Sequence, residues 1–400
     1  MRDGLGPYLA IYLLTVQKWD EASIGLVMSI GGIAAILAQM PAGAFIDSTR
    51  AKRALLIAAA VVITLGSIAI PFTPSFAAIA ALQALNGAAG ALFPPAIAAV
   101  TLGIVGPAAF ARRVGRNEAF NHGGNATAAG IAAGSAYLFG PVVVFFVMAA
   151  MALASIVAAL SIPADAIDHD VARGLHERQG EVWSGDQPSG FKVLLTSRPL
   201  LIFAACVVLF HFANAAMLPL VGQKLALVVG KEFGTSLMAI CIVAAQLLMV
   251  PVAAVTGAKA DLWGRNPIFL AGFVVLTLRG VLYPLSDNPY WLVAVQLLDG
   301  VGAGVFGALF PIIVADLTRG TGHFNVSQGA IATAQGVGAA LSSTVAGLIV
   351  VKAGYGSAFF SLAALAGAGL LLFGLAMPET GAAGQSRPAP VAPHTEVAAP

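Results

Sequence analysis

The chain is predicted to fold as an all-α membrane protein, with twelve transmembrane helices in two six-helix bundles related by pseudo-symmetry. Three observations predict this. Apolar residues make up 59% of the 400 residues and charged residues only 10%, whereas a soluble domain carries about 25% charged residues. Polar surface is too scarce to face water, so lipid must be the solvent for most of the chain. Twelve apolar stretches follow one another, and most reach the roughly 20 residues that a helix needs to cross about 30 Å of hydrocarbon. Finally, one short motif occurs twice. Gly43-Ala-Phe-Ile-Asp47-Ser-Thr-Arg50-Ala-Lys52-Arg53 is followed by Gly257-Ala-Lys-Ala-Asp261-Leu-Trp-Gly264-Arg265, and both 257 − 43 and 261 − 47 equal 214. A membrane chain that repeats itself at its midpoint is built from two related halves.

Taken in order, span 1 covers 4–16 and is the shortest. It ends near Gln17-Lys18, and span 7 ends near Gln223-Lys224 in the matching place. Counting back from Gln223 to Pro199 gives 25 residues, but 17 precede Lys18. Span 1 is therefore expected to cross only part of the bilayer, with Arg2 and Asp3 at membrane depth. An upstream extension of 25 − 17 = 8 residues would complete it. Spans 2 to 6 cover 22–45, 54–71, 75–101, 117–138 and 140–162. The longest polar interval, 163–198, holds Asp165, Asp168, Asp170, Arg173, Glu177, Arg178, Glu181 and Asp186, and divides the chain six and six. Spans 7 to 12 cover 199–222, 233–257, 266–285, 289–316, 324–350 and 355–377. Gly and Pro recur inside the spans, as membrane helices tolerate. The domains expected are a bundle at 1–162, a central loop at 163–198, a second bundle at 199–377, and a Pro/Ala-rich tail at 378–400 without fixed structure. Cys206 and Cys241 lie inside apolar runs with no metal spacing and read as small core residues.

Orientation follows from Lys and Arg. With the N-terminus in the cytoplasm, fourteen of the twenty basic residues fall in cytoplasmic segments, four outside (Lys18, Lys224, Lys231, Lys352) and two within spans (Arg2, Arg279). The positive-inside rule fixes that topology, with both termini and both motif copies on the cytoplasmic side. The net charge of +2 gives no argument for nucleic acid.

With these features the chain resembles the major facilitator superfamily over residues 1–377. The six-plus-six spans, the long central loop and the repeated loop between spans 2–3 and 8–9 carry the resemblance. The family's loop reads Gly, three residues, Asp, a basic residue, one residue, Gly, then basic residues. The second copy matches at Gly257, Asp261, Gly264 and Arg265, with Leu262 in place of the first basic residue. The first matches at Gly43, Asp47, Arg50, Lys52 and Arg53 but lacks the inner Gly. The resemblance implies a conformational latch formed by Gly43, Asp47, Arg50, Gly257, Asp261, Gly264 and Arg265. Glycine lets a helix end approach its neighbour, and an aspartate can cap the exposed N–H groups of another helix. Asp47 is expected at the start of span 11 near Asn325, and Asp261 at the start of span 5 near Asn117.

The resemblance also makes spans 1, 4, 7 and 10 the cavity helices. At ~1.5 Å per residue, Asn86, His211 and Asp299 lie about 15–18 Å into spans 4, 7 and 10, close to the midplane. A charged group there is a functional candidate because its insertion is costly; the competing reading for Asp299 is a structural pair with Arg279 of span 9. His211 and Asn214 share a helix face, and His211 could titrate or simply bond a backbone carbonyl. Asn121, His122 and Asn125 share a face of span 5, and Glu118 is expected to pair with nearby arginines. Gln246, Gln328 and Gln335 can add hydrogen bonds to a solute. The expected solute and proton pathway is Asp3, Asn86, His122, Asn125, His211, Asn214, Gln246, Asp299 and Gln335.

Two motif matches mislead. Gly302-Ala-Gly304-Val-Phe-Gly307 fits a dinucleotide fingerprint but follows no strand, and Asn125-Ala-Thr127 fits a glycosylation site at membrane depth. With no P-loop, zinc-protease motif or nucleophile elbow, neither enzyme chemistry nor ATP drive is expected, and no cofactor or metal. The resemblance implies a secondary transporter of a bacterial inner membrane, multi-pass and monomeric. It would move a small solute by alternating access with protons as coupling ion, export favoured over uptake. Gly140-Pro141 lies after span 5, not within it, which departs from the drug-export branch. A non-transporting solute sensor of the same fold is the other reading.

Overall fold

The computed structural model describes residues 9–10, 12–140, 142–175 and 194–381. Residues 1–8, and with them Asp3 and the expected truncation of span 1, lie outside the described residues, as do 382–400 of the expected tail. Among the described residues, nine continuous helical stretches are long and apolar enough to cross a membrane. Two of them are too long for one crossing. Phe76–Phe139 has 64 residues, about 96 Å of helix against about 30 Å of hydrocarbon. Backbone conformation resolves this. Within Phe93–Phe139 the helix breaks at Gly106, with φ 67° and Pro107 next, and Phe324–Ala376 breaks at Gly354, with φ 84°. Glycine is the residue that adopts such angles without a Cβ clash. These breaks separate spans 4 and 5 and spans 11 and 12. Together with the leading helical residues 9–10 and 12–15, the order is the twelve-span one.

The remaining spans follow expectation closely. Span 2 is Glu21–Ser48, opened by Asp20, whose carboxylate accepts the Ser23 N–H at 2.9 Å and its hydroxyl at 2.7 Å. Span 3 is Lys52–Ala69 with a 3-10 turn at Ile70–Phe72, and span 6 is Val143–Leu160. Span 7 is broken into Arg198–Ala215 and Met217–Val229; span 8 is Lys231–Trp263, span 9 is Arg265–Leu282, and span 10 is Pro289–Leu317. Span 5 departs from expectation. Its helix starts at Pro107, ten residues before the expected 117. Pro is well suited to the first helical position, because its missing N–H would be unpaired there anyway. The basic run Arg112, Arg113 and Arg116 therefore sits on the helix, not in a loop.

In lipid the apolar effect does not drive helices together, so close packing must. The second half packs around an aromatic cluster. Phe210 stacks on Phe306 at 5.0 Å and Phe269 on Phe373 at 4.6 Å, with Phe203 and Phe273 beside them. The first half packs through smaller groups, with Tyr12 edge-on to Phe145 at 5.0 Å among Leu9, Leu13, Val27 and Ile79. A turn of the central segment, Val171–Arg173, ties the halves together at the end that carries the repeated loops. Asp168 N–H donates to Gly103 O at 3.0 Å on one side, and Asn325 Nδ2 donates to Ala172 O at 3.0 Å on the other. We call this end of the bundle the loop end.

Candidate functional site

The halves meet along two seams, span 2 against span 11 and span 5 against span 8, and glycines set the approach. A Cβ on Gly43 would lie 2.1 Å from Asn325 O, and one on Gly329 would lie 2.2 Å from Gln39 O. On the other seam, a Cβ on Gly257 would lie 2.7 Å from Ala111 O, and one on Gly115 would lie 2.6 Å from Ala253 O. Any side chain would force these backbones apart. The four contacts are two pairs related by the repeat: 257 − 43, 325 − 111, 329 − 115 and 253 − 39 all equal 214. The approach loosens away from the loop end. Gly336 meets only the Ile36 side chain at 2.8 Å, Gly123 meets Val250 at 3.9 Å, and Gly347, Gly130 and Gly134 meet nothing within 4 Å. Gly347 lies eighteen residues, or about five whole turns, from Gly329 and so on the same face. The halves are thus closed at the loop end and apart at the far end.

The two aspartates of the repeat part company. Asp47 Oδ1 accepts the Asn325 backbone N–H at 3.2 Å and its side-chain amide at 2.8 Å, while Oδ2 accepts the Val326 N–H at 2.8 Å. Span 11 begins at Phe324, so these are first-turn N–H groups with no helical partner. Asp47 meets span 11 at Asn325, as expected of the first copy. Asp261 does not meet Asn117, and this corrects the second expectation. Its carboxylate pairs with Arg265 of its own half at 2.6 Å, with half its side chain exposed, while Asn117 donates to Thr101 at 3.0 Å. The reason is the early start of span 5. The counterpart of Asn325 is Ala111, which lies a full turn beyond Pro107 and has its N–H inside the helical ladder. The orphan first-turn donors of span 5 belong to residues 108–110, not to Ala111 and the residue after it. Gly264 caps span 9 with φ 86°, and Arg265 also reaches Asp316 at 3.1 Å. Glu379, inside the stretch expected to lack fixed structure, accepts the N–H groups of Arg265 at 2.9 Å and Asn266 at 3.0 Å. Arg50 is exposed.

At membrane depth the polar residues fall into separate groups. Asp299 forms a salt bridge with the fully buried Arg279, and Gln296 Nε2 donates to its other oxygen at 3.2 Å. Tyr283 donates its hydroxyl to Gln296, and the Arg279 guanidinium lies 6.0 Å from the Tyr283 ring centroid. The pairing weighed against a free aspartate is thus the one present. Asn86, its counterpart in the first half, has a buried Oδ1 without a partner and sits over Gly66, where a Cβ would be 2.4 Å away. His211 donates Nδ1 to Val207 O at 3.2 Å and packs edge-on against Phe306 at 4.5 Å. No hydrogen bond or ion pair brings it to Asp299. Asn125 is buried, and Asn214 and Gln335 are half-buried.

Two expected residues do meet, and across the seam. His122 Nδ1 of span 5 lies 2.8 Å from Gln246 Oε1 of span 8. Its Nε2 is 3.9 Å from Glu118, which bonds Asn121 at 3.2 Å and not an arginine. A hollow of about 520 Å³ on the flank of spans 8 to 10, lined by Pro251, Val255, Trp263 and Pro267 among others, touches none of these polar residues. Sequence reasoning passed over Gly115 and Gly329, although their 214-residue spacing was readable. It also passed over Glu379 and the Tyr283–Gln296 pair, for which no local signal exists.

The Major Facilitator Superfamily model matches residues 1–279 and 225–397. The chain belongs to this family. An uncharacterized MFS-type transporter of Mycobacterium tuberculosis, from strains CDC 1551 / Oshkosh and ATCC 25618 / H37Rv, is 63% identical over 380 residues, covering 95% of this chain and 90% of its own. The multidrug transporter protein MdtP of Bacillus subtilis (strain 168) is 25% identical over 155 residues, 39% of this chain and 28% of its own. Among solved structures, the proton:xylose symporter XylE superposes with a TM-score of 0.73 at 12% identity, covering 95% of this chain and 92% of its own. FucP in the outward conformation gives 0.72 at 13% identity, covering 93% and 94%. At these identities the likeness shows the fold, and the chain is a multi-pass membrane protein of a transporter family.

Proposed function

We propose that this protein is a secondary active transporter that moves a small solute by alternating access, driven by protons, with export favoured over uptake. One observation carries the reading. Two halves related by a 214-residue repeat are joined at one end by paired glycine contacts and are parted at the other. A pseudo-symmetric pair in contact at one end only has a second arrangement of similar packing, open at the loop end. Rocking of bodies 1–162 and 199–377 would interconvert the two and expose one central site alternately.

The basic residues put the loop end in the cytoplasm, with both termini there, in a bacterial inner membrane. The form described then faces outward, as FucP does in the outward conformation. Proton drive is supported by titratable side chains at membrane depth and by a neighbour that is itself a proton symporter. Export is supported by the partial match to MdtP. The solute would be met by Asn86 of span 4, His211 and Asn214 of span 7, and Gln335 and Asn125 on the flanking spans; the set expected from the sequence also holds Asp3, His122, Gln246 and Asp299. The protein would act as a monomer in lipid, without cofactor or nucleic acid.

The test has two steps. Thermal-shift screening of purified protein against diverse solutes identifies a ligand, because binding to the folded state stabilises it. Proteoliposomes carrying that ligand under an imposed pH gradient then report flux. Gradient-dependent accumulation supports the reading. Binding without any flux in either direction would mark a sensor and sink it.

A further inference from the structure

We propose that Glu118 and His122 of span 5 form one proton-binding site on the seam between the halves, read across the seam by Gln246 of span 8. This rests on the alternating-access reading and adds where a proton acts.

The cluster is built where the halves meet. His122 Nδ1 lies 2.8 Å from Gln246 Oε1, the only side-chain partner of the imidazole from the opposite half among the described residues. Nε2 is buried, has no hydrogen-bond partner, and faces the Glu118 carboxylate at 3.9 Å. Span 10 closes the pocket with Gly307, where a Cβ would lie 3.4 Å from the Glu118 carboxylate and 3.9 Å from His122 Nε2. Asn121 donates to Glu118 at 3.2 Å. Span 8 presents the neutral Gln246 and span 10 the glycine, so the charges in the cluster are those of Glu118 and His122.

The hydrogen-bond inventory then decides what a proton does. An amide oxygen and a carboxylate are both acceptors, and a neutral imidazole has one N–H to give. With Gln246 Oε1 facing Nδ1, that N–H is given to Gln246 and Nε2 turns a lone pair toward the Glu118 carboxylate. An imidazolium has two N–H groups and satisfies both acceptors. It also sets an opposite charge beside the Glu118 carboxylate, and a charge-assisted bond is stronger than a neutral one. When the seam opens, water can serve either form. Protonation therefore favours the form closed at the loop end, and by linkage closing that end favours proton uptake. Gln246 makes the coupling directional, because it touches the imidazole only while spans 5 and 8 are together.

Spin labels across this seam test the proposal without any solute. Arg113→Cys on span 5 and Leu262→Cys on span 8 are both exposed positions at the loop end. Distances are read in lipid vesicles between about pH 8 and about pH 5. The short-distance population is expected to rise as pH falls, by no more than about tenfold per pH unit, the limit for one linked proton. His122→Gln keeps a hydrogen-bonding side chain and should lose this dependence. Glu118→Gln should lose most of it. Gln246→Ala leaves both titrating groups in place, covers the case in which the first two misfold, and should also flatten the response. A pH-independent distribution in the unsubstituted background, or an unchanged response in folded His122→Gln or Gln246→Ala protein, would overturn the proposal. A pH response that depends on these residues in a protein that moves no solute would uphold it and sink the transport reading instead.

Discussion

At the first loop copy Asp47 reaches into the other half and caps the helix that starts at Phe324, while at the second Asp261 turns back to Arg265 of its own half. The glycines beside them behave alike, with Gly43 and Gly257 both pressed against backbone across a seam. The repeat therefore preserves the close approach but not the capping bond. What differs is where the opposing helix begins. Span 11 starts one residue before Asn325, so its first-turn N–H groups are free for Asp47. Span 5 starts at Pro107, four residues before the matching Ala111. A shift of less than one turn moves the orphan donors away from the matching position, and with them the reason for an aspartate to cross. One seam is held by packing plus a charged cap, and the other by packing plus the His122–Gln246 bond.

The halves differ in depth as well as at the seam, and the largest expected effect lies there. Asp299→Asn leaves the buried Arg279 without its carboxylate. Breaking a buried pair from one side costs about 3–5 kcal/mol, so the thermal midpoint of purified protein should fall steeply. Asp299→Leu with Arg279→Met removes both charges and should recover most of that loss. Asn86→Leu, in the half where the matching amide has no ionic partner, should cost far less. Equal losses at Asp299 and Asn86 would break the comparison.

Next come the glycines. Gly43→Ala places a Cβ against the Asn325 carbonyl and should weaken the loop-end contact by about 1–3 kcal/mol, the usual cost of overpacking. Gly124 is helical with nothing near its Cβ position, so Gly124→Ala should instead stabilise by roughly 0.5–1 kcal/mol through helix propensity. Cross-linking between cysteines on spans 2 and 11 checks the first, and thermal unfolding checks the second. The opposite signs sharpen the difference between a seam glycine and a free one.

The smallest pair separates the two loop copies. Asp47→Asn should cost about 1 kcal/mol of the closed form through loss of a charged helix cap. Asp261→Asn, half-exposed and bonded within its own half, should stay within about 0.5 kcal/mol. Accessibility of a cysteine on the loop-end side of span 11, read by thiol labelling rate, reports both.

Much of the fold was legible because a bilayer imposes length and composition on every crossing. The 214-residue repeat gave the two halves, and the match at Asp47 and Asn325 followed from the family resemblance. Span 5 was misplaced because Arg112, Arg113 and Arg116 read as a loop. They are the charged first turns of a helix that begins at Gly106-Pro107, a break signal inside an apolar run. Arg279 was weighed from the sequence as the partner of Asp299, but choosing that pair over a free aspartate was harder. Arg279, Gln296 and Tyr283 lie on two spans whose relative rotation no local pattern encodes. Depth along each helix could be counted, but facing could not. Glu379 lies beyond the last apolar stretch, and its use as the cap of span 9 depends on the chain returning to the loop end.

The central claim is that closure at one end and opening at the other are two faces of one rocking motion. Double electron–electron resonance tests it most directly, with one label pair at each end of the same protein in vesicles. Arg50→Cys with Leu262→Cys reports the loop end, and Tyr137→Cys with Val351→Cys, both highly exposed, reports the far end. Two populations are expected at each end, and conditions or substitutions that lengthen the loop-end distance, Asp47→Asn among them, should shorten the far-end distance in the same proportion of molecules. A single distance at both ends that no condition moves, or two ends that change independently, would contradict it.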